Sequence, residues 1–104
     1  MISQASVLDA QSIVDDITSH IRKQAGPVSN WYVGITADIE QRVFGAHRVP
    51  REKYWRIHRR AISSSEARAA EKALLNWGCD GGDGGGNETA VFVYAYLKTS
   101  RTNP

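Results

Sequence analysis

The sequence predicts an α/β (α+β) fold: a small, three-stranded, mainly antiparallel sheet flanked by helices. Two observations point to the sheet. Residues 30–35 (NWYVGI) and 90–98 (AVFVYAYLK) are short runs dense in aromatic and β-branched side chains. Residues 54–62 (YWRIHRRAI) place Tyr54, Arg56, His58 and Arg60 on one face, with Trp55, Ile57, Arg59 and Ala61 on the other. A third observation supplies the helices, since residues 6–25 and the stretch from Ser63 to Trp77 carry apolar side chains at three- and four-residue intervals.

Taken in order, residues 6–25 read as an amphipathic helix with Val7, Ala10, Val14, Ile17 and Ile21 as its apolar stripe. Ser6 with Asp9 resembles a capping box, and Lys23 followed by Gly26-Pro27 provides the stop. After the first strand, residues 36–44 form a second helix, with Asp38 and Glu40 complementing its dipole and Ile39 and Val43 as its apolar edge. Gly45 and Pro50 bracket a loop that leads into the second strand. Ser63 and Glu66 make a capping box for the last helix, which Gly78 ends. Gly81–Gly86 is a glycine loop, without the Gly-Lys-Ser/Thr that a P-loop needs. The last strand follows, and the polar tail 99–104 is expected to fray.

Size and composition bound the function. A chain of 104 residues fits one domain (1–104, with its core over 28–98) and one modest core. A hydrophobic fraction of 41% and a charged fraction of 23% are those of a globular protein. No apolar run reaches the length of a membrane span, and no secretory signal is visible. Cys79 is the single cysteine, which excludes an intramolecular disulfide and a cysteine-based zinc site. The expected location is cytoplasmic. The net charge of +2 hides a basic middle, where Arg48, Arg51, Lys53, Arg56, Arg59 and Arg60 face a single acid, Glu52. Cations interleaved with Tyr54 and Trp55 suit phosphate contact and base stacking, although a solvated basic strand has the same composition.

Two residues stand out chemically. Glu71 sits at the margin of the last helix's apolar face, beside Ala67, Ala70 and Leu75, where a carboxylate is costly unless paired or metal-bound. The alternative is a surface pair with Arg68. Arg42 lies one turn beyond Asp38, on a helix that starts directly after a strand, the kind of place where phosphate sites are built. Its alternative is a surface pair with Asp38.

Tyr32-Val33-Gly34, Thr36, Asp38 and Arg42 resemble the second half of the GIY-YIG nuclease signature. His47 falls near that family's histidine, five residues after the arginine instead of four. The basic strand and the helix Ala67-Arg-Ala-Ala-Glu71-Lys-Ala-Leu74 continue the resemblance, which spans residues 31–76. The resemblance implies a GIY-YIG-like fold and a DNA endonuclease that hydrolyses phosphodiester bonds with Mg²⁺ or Mn²⁺. It makes Glu71 the metal ligand, Arg42 the fixed cation, Tyr32 the residue that orients or deprotonates the attacking water, and His47 a helper. Arg48, Arg51, Lys53, Arg56 and Arg60 would contact nucleic acid, with DNA favoured over RNA. Asn76 and Asn87 are candidates for an asparagine that the family places after the glutamate helix.

The family's first strand, with its tyrosine, is missing before Tyr32. The strand 90–98 is expected to take the vacant sheet position, with Tyr94 or Tyr96 supplying the second tyrosine. Strong sequence specificity would require a homodimer or a partner. Two other functions compete: a non-catalytic nucleic-acid-binding module, in which Glu71 is held in a salt bridge, and a protein-interaction domain with an exposed apolar patch on residues 7–21.

Overall fold

The computed structural model describes residues 7–52, 55–82 and 88–104. Lys53 and Tyr54 of the basic stretch, Ser6 of the expected first cap, and Asn87 lie outside the described residues. Two helices, α1 (Ala10–Arg22) and α2 (Ser64–Trp77), pack on a sheet of three strands: β1 (Trp31–Thr36), β2 (Arg56–Arg60) and β3 (Phe92–Leu97). The sheet is antiparallel throughout in the order β1-β3-β2, so the last strand in sequence is central in space. The cationic β2 suits an edge, whereas β1 and β3 are both uncharged and largely buried.

Helix α1 begins later than its sequence periodicity indicates. Asp9, not Ser6, is the N-cap, and its carboxylate accepts from Ser12 N–H at 2.8 Å. The buried stripe is accordingly Ile13, Ile17 and Ile21, while Val7 is exposed. Most of the apolar face expected to be free for a partner is therefore core. Helix α2 opens on Ser63, whose hydroxyl accepts from Glu66 N–H at 3.2 Å. The Glu66 carboxylate does not return to Ser63. It accepts from Ala10 N–H at 2.7 Å, which joins the start of α2 to the first turn of α1.

Strand alternation divides the interior into two layers. Trp31, Val33, Ile35, Ile57, Val93 and Ala95 face the helices and meet Ile13, Ile17, Ala67, Ala70 and Leu74. Tyr32, Tyr94 and Tyr96 point to the other side and pack with Val43 and Val49. Arg56, His58 and Arg60 pair in register with Tyr96, Tyr94 and Phe92, so they share the tyrosine face.

That face is covered by a π-helical turn, Glu40–Ala46, instead of the expected α-helix. Its N-terminus is organised by Asp38, whose carboxylate accepts from Gln41 N–H at 3.1 Å, and by Thr36, whose hydroxyl accepts from Asp38 N–H at 3.0 Å. It ends with Arg48 in the left-handed region (φ 57°), and Val49 N–H then closes back onto the Val43 carbonyl at 3.1 Å. Among the described residues, no helix is long and apolar enough to cross a membrane.

Candidate active site

The site lies at the outer edge of β1, where the two layers of side chains meet. A cavity of about 180 Å³ is lined by Tyr32, Gly34, Arg42, Glu71, Gly82 and Tyr94, together with Val33 and Ile35. Helix α2 brings Glu71 from one side of the sheet, and the π turn brings Arg42 from the other. The segment after α2 runs along β1, with Val33 N–H donating to the Asp80 carbonyl and Asp80 N–H donating to the Trp31 carbonyl, both at 2.8 Å. This places Gly82 beside the Tyr32 hydroxyl, where a Cβ would come within 2.6 Å of the phenolic oxygen. The glycines after Asp80 thus permit close backbone approach at the site wall.

Gly34 has a different reason to be glycine. It pairs with Tyr94 across the strands, and the Tyr94 ring lies over it. A Cβ there would run into the Tyr94 hydroxyl and come within 2.6 Å of Cζ. The absent side chain lets Tyr94 extend across β1 to the cavity.

The π turn sets Arg42 and His47 on one side. A residue five positions on is one turn away in a π-helix, and His47 N–H donates to the Arg42 carbonyl at 3.0 Å. Both side chains reach Tyr94. Arg42 Nε–H donates to its hydroxyl at 3.5 Å, a long bond, and His47 Nε2 lies 2.9 Å from the same oxygen. On the other side of the ring, His47 Nδ1 is 2.8 Å from the Asn103 carbonyl and 3.0 Å from the Tyr96 hydroxyl. A carbonyl only accepts, so Nδ1 carries the proton and Nε2 accepts from Tyr94 O–H. The resulting chain runs from Arg42 Nε–H to the Tyr94 oxygen, from Tyr94 O–H to His47 Nε2, and from His47 Nδ1–H to the Asn103 carbonyl.

Electrostatics agree with these protonation states. Burial, with the nearby Arg42 charge, holds His47 below its ordinary pKa, against the opposing effect of the Asn103 carbonyl. His47 is therefore neutral at pH 7 and able to take a proton. Burial also pushes the Tyr94 and Tyr96 phenols up, so both stay protonated, although Arg42 opposes the shift at each. Arg42 is held above its ordinary value, chiefly by its bond to Tyr94.

Glu71 is half-buried and its pKa is raised by burial, with Arg68 pulling it the other way. Among the described residues no hydrogen bond or ion pair holds its carboxylate, on which Arg68 acts as a nearby charge, and Arg42 turns to Tyr94 and not to Asp38. A lone carboxylate in a polar cleft suits Mg²⁺ or Mn²⁺, which keep several waters and draw further ligands from phosphate. It does not suit zinc, and no cluster of three or more His, Cys, Asp or Glu among the described residues is placed to enclose a metal.

The predicted residues divide clearly. Tyr32, Arg42, Glu71 and Tyr94 line the cavity, and His47 stands behind Tyr94. Tyr96 is fully buried behind His47 and stacks on Tyr32 with ring centroids 5.3 Å apart. Arg51 makes a two-pronged pair with Glu40 at 2.7 and 3.0 Å and lies over the Phe44 ring. Arg56 also lies over the Phe44 ring, 4.9 Å from its centroid, and Arg60 lies over Phe92. Arg56 and Arg60 lie on the tyrosine face of the sheet but on β2, across β3 from the cavity, and none of the three cations lines it. Arg48 is exposed at the end of the π turn, and Asn76 is exposed on α2, away from the cavity lining.

Sequence reasoning missed Asn103. The tail expected to fray is folded onto the site, with Asn103 N–H donating to the His47 carbonyl at 2.7 Å. The available signal was Thr99-Ser-Arg-Thr102, whose hydroxyls build a turn: Thr99 N–H donates to Thr102 Oγ1 at 3.0 Å, and Arg101 N–H donates to Thr99 Oγ1 at 3.2 Å. Compared with known families, curated proteins and solved structures, the chain has no significant match to a family model, a protein or a structure.

Proposed function

We propose that this protein is a metal-assisted endonuclease of the GIY-YIG type that hydrolyses phosphodiester bonds in DNA. The observation that carries the reading is the cleft itself: a half-buried carboxylate that no hydrogen bond or ion pair holds among the described residues faces a guanidinium and two phenols. Such a set suits a phosphate diester, an anion that gains charge as it is attacked.

Each residue has a role within that reading. Arg42 binds the scissile phosphate and stabilises the added charge. Tyr32, with its hydroxyl at the cavity wall, orients the attacking water. The water's proton passes to the Tyr94 oxygen as Tyr94 gives its own to His47 Nε2, and solvent protonates the departing alkoxide. The products are a phosphate monoester and an alcohol. Glu71 would hold Mg²⁺ or Mn²⁺, which when bound supplies Lewis-acid stabilisation of the phosphate and its leaving oxygen. Arg56 and Arg60 give the neighbouring sheet face a positive potential for the flanking strand.

Two features of the fold support the resemblance where the sequence departs from it. The extra residue between Arg42 and His47 is absorbed by the π turn, which keeps both on one side. The missing tyrosine strand is matched by β3, next to β1 and antiparallel to it, with Tyr94 at the cleft. The test is nicking of supercoiled plasmid with Mg²⁺ or Mn²⁺. The wild type should nick only with metal, and Glu71→Ala and Arg42→Ala should each lose ~10²-fold or more. Folded wild type that binds DNA without cutting any plasmid or branched substrate would instead support a binding module.

A further inference from the structure

We infer that the tail Thr99–Asn103 is a working part of the site: the main-chain carbonyl of Asn103 is a positioning group that fixes the ring of His47 so that its Nε2 can accept from Tyr94. The inference rests on the hydrolase reading for its catalytic meaning, but the geometry stands apart from it.

The tail is built for this placement. The hydroxyls of Thr99 and Thr102 close a tight turn, with Thr102 N–H and Oγ1–H both donating to the Thr99 carbonyl at 3.1 and 3.0 Å. The turn delivers Asn103 to His47 with two main-chain contacts: its N–H meets the His47 carbonyl at 2.7 Å, and its carbonyl meets Nδ1 at 2.8 Å. The Asn103 side chain adds a long bond from Nδ2 to the Ala46 carbonyl at 3.4 Å. Backbone and ring of the same histidine are thus gripped by one residue.

Tyr96 shows why the grip matters. Its hydroxyl, 3.0 Å from Nδ1, can either accept from an Nδ1–H or donate to a bare Nδ1. With the Asn103 carbonyl present, a bare Nδ1 would face a carbonyl lone pair at 2.8 Å, so the ring keeps its proton there and shares it between both oxygens. Without that carbonyl, Tyr96 O–H gains an acceptor by donating to Nδ1, and the ring proton moves to Nε2. An Nε2–H points a donor at Tyr94, and Tyr94 O–H loses the base that receives its proton. The same logic governs histidine bases that a carboxylate or carbonyl orients through the other ring nitrogen. Arg42, Tyr32, Tyr94 and Tyr96 are the charged and titratable groups facing the ring, and none of them can replace an acceptor-only carbonyl at Nδ1.

The experiment reads the His47 ring nitrogens by long-range ¹H–¹⁵N NMR in the full chain, in a chain ended after Thr102, and in Asn103→Ala. The full chain and Asn103→Ala, which keeps the carbonyl, should show a protonated Nδ1 and a bare Nε2. The shortened chain should show the reverse. Thr102→Val, which loosens the turn and keeps the chain intact, should give a mixture even if the shortened chain fails to fold. On a cleaved DNA substrate the shortened chain should lose ~10²-fold in kcat with KM within about threefold. A bare Nδ1 in the full chain, or a tautomer unchanged in both the shortened chain and Thr102→Val, overturns the inference. If the wild type cleaves nothing, the nuclease reading fails, and the tautomer still decides the role of the tail.

Discussion

Gly34→Ala should disable the site through packing alone. An added Cβ would sit 2.6 Å from Tyr94 Cζ and 3.1 Å from Cε2, where ordinary contact begins at 3.4 Å. The ring must retreat by roughly 1 Å, and it has little room to do so because Tyr94 is 2% exposed. A retreat of that size stretches the 2.9 Å bond to His47 Nε2 beyond hydrogen-bonding range and pulls the hydroxyl from Arg42. Overpacking costs ~1–3 kcal/mol, and the lost hydrogen bond adds ~1 kcal/mol, so unfolding in urea should show a loss of about 2–4 kcal/mol. The same loss should be smaller in a Tyr94→Leu background, where the methyl no longer meets a phenol, with a coupling of at least ~0.5 kcal/mol. A Gly34→Ala protein within ~0.5 kcal/mol of wild type, or strict additivity with Tyr94→Leu, would refute the claim that Gly34 exists to seat Tyr94.

Further outcomes follow from the same structure. Glu71→Gln should raise the melting temperature at pH 7, because burial disfavours the charged form, while metal-dependent cleavage falls ~10²-fold or more. His47 and His58 both have depressed folded pKa values, so below the ordinary histidine pKa near 6.5 the unfolded chain binds protons that the native one does not. Stability should therefore be full above about pH 6.5 and fall as pH drops through the depressed folded values, and His58→Gln should flatten part of that slope in a pH series of urea melts. Burial pushes the Cys79 thiol up to about 11, so iodoacetamide at pH 8 should leave the folded protein largely unmodified and label it fully in urea. Leu74→Ala, at a fully buried position between α2 and the sheet, should cost ~2–5 kcal/mol.

Much of the fold is legible in the sequence because each strand declares itself locally. Trp31–Thr36 and Phe92–Leu97 are too short and too rich in aromatic and β-branched residues to be anything else, and Ser63 with Gly78 punctuates α2. Strand order is not local: charge sends the cationic β2 to an edge, but β1 and β3 are both uncharged and buried, so only the tertiary pairing places β3 between the other two. The first helix start was misplaced because Ser6 and Asp9 are both good caps, and only packing against α2 selects Asp9. The π turn could not be read, since residues 36–44 satisfy α periodicity equally well and the extra residue is stabilised by contacts of Val43, Val49 and His47 with the tyrosines.

Within the site, Glu71 and Arg42 were visible as charges at awkward positions. The choice between Tyr94 and Tyr96 was not, because residues two apart share a face and only the register opposite Gly34 puts Tyr94 at the cleft. The tail was hidden for a related reason: its polar composition predicts fraying, and its order comes from a turn closed by two threonines and from one distant histidine.

The central claim is that Glu71 and its neighbours form a phosphodiester-hydrolysing centre. The most direct measurement is the initial rate of cleavage of a labelled DNA substrate against Mg²⁺ concentration, for the wild type and Glu71→Gln side by side. The wild-type rate should rise with Mg²⁺ and saturate, with a loss of ~10²-fold or more in the folded Glu71→Gln protein. Cleavage by Glu71→Gln at the wild-type rate, or wild-type cleavage indifferent to divalent metal, would contradict the central claim.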